Sequence, residues 1–428
     1  MQYQGLFALS LLASNLAWAG SVEELADKVQ PQVVEWRHHF HQHPELSNRE
    51  FQTAAYVAKY LKGLGLEVQT GVAKTGVVAV LDSGKPGPVV ALRADMDALP
   101  VKEVNNLPYR SEVTGEYNGE TVPVMHACGH DTHIAMLMGA AKVLVAMKGE
   151  LKGKVKFIFQ PAEEGAPVGE EGGAKLMVKE GVLKNPDVDV VFGLHINSQT
   201  DIGTVKYRAG GVMAAVDPFK IEVHGKQSHG AYPWMSVDPV VTSAQLVMAL
   251  QTIVSREVKV IDNGAVVSVG MIKGGNRTNI IPAEVDLAGT VRTLNPKARE
   301  LVYEAMARKV KGIADSMGAT ATLTMPYGDS YPITYNDPAL MAKMLPTLSR
   351  TAGEGHVKEA QAVTGAEDFS FYQEKVPGLF LFVGGKPLDV PEDKAPSHHT
   401  PDFYVDDAGM ELGVKLLSNL TLDYMQKS

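Results

Sequence analysis

One cysteine, Cys128, stands in 428 residues. No intramolecular disulfide can brace the fold, and the isolated thiol needs a reason other than cross-linking. Basic residues are the minority: 40 Lys and Arg against 49 Asp and Glu leave a formal charge of −9. That balance argues against nucleic acid and anionic membrane surfaces as partners. Beyond the amino terminus no run reaches the roughly 18 unbroken apolar residues of a membrane span. Internal repeats, low-complexity tracts and blocks of like charge are missing too. The first nineteen side chains carry no charge; residues 6–16 are largely apolar, and Ala17-Trp18-Ala19 precedes Gly20. This small-x-small ending predicts a secretory signal peptide over 1–19, cleaved after Ala19. Met1-Gln2-Tyr3-Gln4 departs from the usual pattern in having no Lys or Arg. The expectation is an exported protein, periplasmic or secreted, whose unpaired thiol is kept because it ligates metal.

What is present is concentrated. Met125-His126-Ala127-Cys128-Gly129-His130-Asp131-Thr132-His133 holds the one thiol, three of the 13 histidines and an acid. Cys-Gly-His sets a thiolate and an imidazole two residues apart around a glycine that permits close backbone approach. The apolar run at 134–145 predicts a buried helix, so the cluster lies where a strand or loop turns into a helix. Several candidate ligands in nine residues favour a metal site over a loop cysteine beside core histidines.

The length predicts two domains rather than one core. Helical spacing occupies residues 21–65, first as Val22, Leu25, Ala26 and Val29, then as Phe51, Ala54, Ala55, Ala58 and Leu61. Between them lies Arg37-His38-His39-Phe40-His41-Gln42-His43-Pro44-Glu45-Leu46-Ser47, whose histidines are expected to pack and hydrogen-bond. Apolar strands then deliver polar residues at their carboxyl ends, where open α/β sheets build sites. The strand at 89–95 runs into Asp95-Met96-Asp97, and that at 154–160 into Glu163-Glu164. Adjacent carboxylates at one mouth split in pKa unless a cation holds one ionised, which suits a ligand beside an acid/base. The strand at 188–196 delivers His195.

Past Tyr207 the texture changes. Strands at 216–225, 266–272 and 284–292 alternate with helices at 239–254 and 296–317, predicting a small α+β unit over 210–324. Its polar loops are Ser228-His229-Gly230-Ala231-Tyr232-Pro233 and residues 274–282, with Asn279. A helix at 338–351, a buried strand at 378–384 and a closing helix at 406–425 return to the first pattern.

Seven motifs stand in order: Arg-His-His-Phe-His-Gln-His-Pro-Glu-Leu-Ser (37–47), Arg-Ala-Asp-Met-Asp-Ala-Leu-Pro (93–100), Met-His-Ala-Cys-Gly-His-Asp (125–131), Gln-Pro-Ala-Glu-Glu-Gly (160–165), Gly-Leu-His (193–195), Gly-Ala-Glu-Asp-Phe (365–369) and His-Thr-Pro-Asp-Phe (399–403). In these the chain resembles the di-metal amidohydrolase/carboxypeptidase family of hippurate hydrolases, aminoacylase-like enzymes and auxin-conjugate hydrolases. The resemblance implies an α/β catalytic domain (20–209 and 325–428) with a mixed central sheet flanked by helices. A smaller α+β lid (210–324) interrupts it and can mediate homo-oligomerisation. It implies Cys128 as a thiolate bridging two divalent ions, manganese or zinc with cobalt tolerated, and His130, Glu164, His195 and His399 as further ligands, His398 being the competing choice. Glu163 is then the general base, Asp97 an orienting group, His229 the oxyanion donor, and Asn279 and Arg292 substrate contacts. The implied activity is hydrolysis of the amide bond of N-acyl amino acids. Alternatives are a metallo-carboxypeptidase or dipeptidase, a deacetylase of the N-acetyl-diaminopimelate type, and a non-catalytic metal-binding protein. A metal-independent hydrolase using Cys128 as nucleophile would leave the strand-end acids idle.

Overall fold

The computed structural model describes residues 20–261 and 264–427, so the signal peptide expected at 1–19 lies outside the described residues. Ser21 opens the first helix, Val22–Gln42, with a capping box: its hydroxyl accepts from the Glu24 N–H while the Glu24 carboxylate accepts from the Ser21 N–H. The helix runs through Pro31 and takes residues 37–42 into its last turns. This corrects the expectation that the histidine run separates two helices. Val22, Leu25, Val29, Val33, Trp36 and Phe40 form one buried stripe, and its packing outweighs the hydrogen bond that Pro31 cannot donate. Arg37 and His41, also buried, both meet Asp131 Oδ2, at 3.0 and 2.9 Å. Hydrogen bonding, as expected, occupies these side chains.

Eight strands form one mixed sheet in the order Glu67–Val72, Gly76–Asp82, Lys154–Gln160, Val89–Asp95, Val190–Asp201, Gly378–Lys386, Val205–Tyr207, Val357–Glu359. The four strands from Lys154–Gln160 to Gly378–Lys386 are parallel; antiparallel neighbours flank them on both sides, and Val357–Glu359 adds to Val205–Tyr207 in parallel. All of Val89–Asp95 is buried, including Arg93. Its guanidinium donates to Gln160, Asp95, Glu367 and Asp368 at 2.6–2.9 Å, which is what a buried cation requires. The edge strand Glu67–Val72 and the three-residue strands went unread because they are too exposed or too short to show a pattern. The helix His130–Ala146 is buried nearly all round, packed between Val22–Gln42, Gly409–Gln426 and the sheet.

A separate four-stranded antiparallel sheet has the order Ala265–Lys273, Glu284–Thr293, Ala215–His224, Thr320–Thr324. Helices Pro239–Thr252 and Pro296–Ser316 cover it over a core that includes Phe219, Leu246, Leu287, Val302 and Met306. The two polar loops of this unit meet: Ser228–His229 pairs with Ile280–Ile281 as a short ribbon.

The thiol loop joins the helix His130–Ala146 through Gly129, whose φ is +92°. A Cβ there would lie 2.4 Å from Ile196 Cγ2, in the strand that carries His195. Gly129→Ala is therefore expected to cost about 2 kcal/mol or more, from the left-handed backbone and from overpacking. A denaturation midpoint equal to that of the parent would contradict this.

Candidate metal centre

The carboxyl ends of Val89–Asp95 and Lys154–Gln160, the middle of Val190–Asp201 (which extends beyond the expected 188–196) and the loop before helix His130–Ala146 converge near Cys128. Its sulfur lies 3.4 Å from His195 Nε2 and 3.3 Å from His399 Nε2, and His399 Nε2 is 3.0 Å from Glu164 Oε1. Potential ligand atoms fall into overlapping groups within 4.8 Å: Cys128 with Glu164 and His399, Cys128 with His195 and His398, and His130 with Glu163 and Glu164. Cys128 and Glu164 each belong to two of them. A cavity of about 770 Å³ opens above, lined by Cys128, Glu163, Glu164, His195, His399 and Arg292 among others.

Hydrogen bonding decides which ring nitrogens remain for a metal. His130 Nδ1 donates to the Asp97 carbonyl at 2.8 Å, while its fully buried Nε2 has no hydrogen-bond partner. His133 is engaged at both nitrogens: Nδ1 donates to Asp95 Oδ1 at 2.5 Å and Nε2 accepts the Ile196 N–H at 2.8 Å. His398 is engaged likewise, accepting the Ser198 N–H at Nε2 (3.2 Å) and donating from Nδ1 to the Cys128 carbonyl (3.2 Å). His399, in contrast, turns Nε2 toward the thiol and Glu164. It does so from a left-handed backbone, φ +64°, and Ala162, just before Glu163, has φ +52°. Non-glycine residues held there cost about 1–2 kcal/mol, and such strain concentrates where side-chain aim matters.

Asp97 sets the paired glutamates. Oδ1 accepts the Glu163 N–H and Oδ2 the Glu164 N–H, each at 3.0 Å, and the Ser47 hydroxyl donates to Oδ2 at 2.7 Å. Burial opposes its ionisation, but His130, Ser47 and the Glu164 N–H together hold its carboxyl below the usual range. Glu163 moves the opposite way. Burial first, then the charges of Glu367, Glu164 and Asp368, push its carboxyl well up. Burial, Glu164, Glu163 and Asp95 raise the Cys128 thiol in the same manner. For His130, burial is outweighed by Asp95, Asp97 and Glu164, and its pKa rises to about 10. A thiol and two carboxyls pressed together, with an orphaned imidazole nitrogen behind them, form a donor set of S, N and O that positive charge would relax. The residues fit a transition-metal site.

The candidates on the smaller unit divide. Arg292 reaches the cavity, with Nη1 donating to the Thr364 carbonyl at 3.3 Å. His229 and Asn279 do not line it; they are exposed on the ribbon, where His229 Nδ1 accepts the Ala231 N–H at 3.0 Å and the Asn279 carbonyl accepts the Gly230 N–H at 2.8 Å. Three residues given no role from sequence stand at the site. His133 had a signal in its i+3 spacing from His130. Glu367, within 4.8 Å of Asp95 and Glu163, had one in its motif. Tyr331 had none: it lies on the strand-poor return from the smaller unit, and its hydroxyl donates to the Glu163 carbonyl at 3.0 Å. Its backbone also exchanges two hydrogen bonds of 3.1 Å with Val216, on the outgoing connection. Tyr331→Phe is expected to lower kcat about threefold to tenfold, the value of one hydrogen bond, with metal content unchanged. Unaltered kcat would contradict that contact's importance.

Three comparisons bear on this geometry. The model of a family described as "Peptidase family M20/M25/M40" matches residues 91–423. Among curated proteins, "Thermostable carboxypeptidase 2" of Saccharolobus solfataricus is 39% identical over 94% of this chain and 97% of its own. "IAA-amino acid hydrolase ILR1-like 2" of Arabidopsis thaliana is 33% identical over 100% of this chain and 95% of its own. Among solved structures, the YXEP protein of Bacillus subtilis, a dinuclear metal binding peptidase, superposes with a TM-score of 0.77. It is 33% identical, with 94% of this chain and 100% of that chain covered.

Proposed function

The chain belongs to peptidase family M20/M25/M40 and is a metal-dependent hydrolase of amide bonds, and on that premise we propose that it cleaves N-acyl amino acids with two divalent ions. The observation that carries this reading is the overlap of three ligand groups: the group of Cys128, Glu164 and His399 shares Cys128 with the group around His195 and Glu164 with the group around His130. Cys128, Glu164, His130, His195 and His399 are assigned as ligands, His399 in preference to His398 because both nitrogens of the latter are committed. The donor set suits zinc or manganese and tolerates cobalt.

The two ions, when bound, would polarise the amide carbonyl and lower the pKa of water. Glu163 takes the proton of the attacking water at its carboxylate and hands it to the leaving amine as the C–N bond breaks. Asp97 keeps Glu163 and Glu164 aimed by holding both backbone N–H groups. Arg292 offers its guanidinium to the substrate carboxylate. His229 is assigned to oxyanion stabilisation; from its place on the ribbon it acts only after the smaller unit moves or from a second copy paired through that unit. The uncharged residues 1–19 support export to the periplasm or beyond.

A screen of N-acetyl, N-benzoyl and indole-acetyl amino acids and of dipeptides, with and without chelator, tests the reading. Chelator-sensitive release of a free amino acid from an N-acyl substrate supports it. Turnover of dipeptides alone would replace it by the dipeptidase alternative, and chelator-resistant turnover would remove the metal mechanism.

A further inference from the structure

The floor of the cavity is a row of side chains set by sheet register. His195 is the Cα partner of Phe382, and Phe382 is the partner of Lys206 on its other side. Partners in register point to the same face, so all three rise into the cavity, and all three line it. Lys206 thus stands two strand spacings from the candidate ligand His195, about 10 Å between backbones, with an aromatic ring between. Lys358 continues the row on the next strand.

Lys206 is half-buried there, and its amine makes no hydrogen bond or ion pair with any described residue. Its field helps hold the Asp201 carboxyl low, but Asp201 is already bonded to Lys386 Nζ at 2.6 Å. Glu359 and Glu392 line the same cavity and neither is its partner. An amine that lines a cavity with no carboxylate bonded to it is available to an anion that enters. The Arg292 guanidinium lines the same cavity, so two cationic side chains stand along its wall.

We propose that Lys206 is a specificity-determining residue that receives a second carboxylate of the substrate. The preferred substrates are then N-acyl amino acids with an anionic group remote from the scissile amide, and an apolar segment lies over Phe382. This rests on the hydrolase reading above. The second carboxylate sits either on the amino acid side chain or at the end of the acyl group, and paired substrates separate the two.

The metal-loaded full chain is assayed with N-acetylglutamate against N-acetylglutamine, and with N-succinylmethionine against N-butanoylmethionine. In one pair the carboxylate-bearing member is expected to have a kcat/KM about tenfold higher, the value of one charge-assisted hydrogen bond. Lys206→Gln is expected to bring that ratio near one, and Lys206→Arg to keep most of it. Ratios at or below one in both pairs, or a ratio unmoved by Lys206→Gln, would overturn the assignment while leaving the hydrolase reading intact. Better turnover of N-acetyllysine than of N-acetylglutamate would also overturn it, pointing to Glu359 and Glu392 instead. Hydrolysis of none of these substrates, with N-benzoyl or indole-acetyl amino acids or dipeptides turned over, would overturn this inference alone.

Discussion

Glu163→Gln is expected to bind metal as the parent does and to lose about 10²–10⁴ in kcat, the usual contribution of a positioned acid/base. Gln conserves shape and keeps the backbone N–H that Asp97 accepts, so Glu164, the neighbouring candidate ligand, stays aimed. It cannot take a proton from water. Burial and the charges of Glu367, Glu164, Asp368 and Asp95 push the Glu163 carboxyl up, against its ionised form. Positive charge nearby is what frees it to serve as a base, and the role is bound to metal occupancy. Near-normal turnover with full metal would remove the assignment. Loss of metal together with turnover would make Glu163 a ligand instead.

Cys128→Ala is expected to fall from about two metal ions per chain to one or none, with turnover lost in proportion. Removing a group that merely hydrogen-bonds behind a ligand costs about 10–100-fold in metal affinity; removing a shared ligand is expected to cost more. The thiol belongs to two ligand groups, and each of His195 and His399 has a nitrogen within 3.4 Å of it. The alternative role, nucleophile in a metal-free hydrolase, predicts an inactive variant with unchanged metal content. Full metal loading with activity intact would refute the bridging role.

Most of the candidate centre is legible along the chain because its parts are short-range. Cys128 and His130 are two residues apart, Glu163 and Glu164 adjacent, and His195 stands out against an apolar strand. The central strands are legible for a related reason: buried on both faces, they read as unbroken apolar runs, as residues 89–95 and 378–384 do. What escapes is set by register and by chain return. Lys206 faces His195 only because Gly378–Lys386 inserts between their strands, and no local pattern reports a partner some 180 residues away. Tyr331 reaches Glu163 from a connection without periodicity. The end of the first helix was misplaced because Pro31 and a polar histidine run obscure a stripe that tertiary packing completes. The motif His-Thr-Pro-Asp-Phe (399–403) points to His399, with His398 beside it as the competing choice, and the partners of the ring nitrogens favour the same residue.

Cys128 is assigned as the bridge between two metal ions. Metal analysis of the purified protein, combined with anomalous diffraction at the metal's absorption edge, tests it most directly. Two ions per chain are expected, both in contact with Cys128 Sγ, with His399 rather than His398 as the late ligand. A single ion, or two ions with Cys128 in contact with neither, would contradict it.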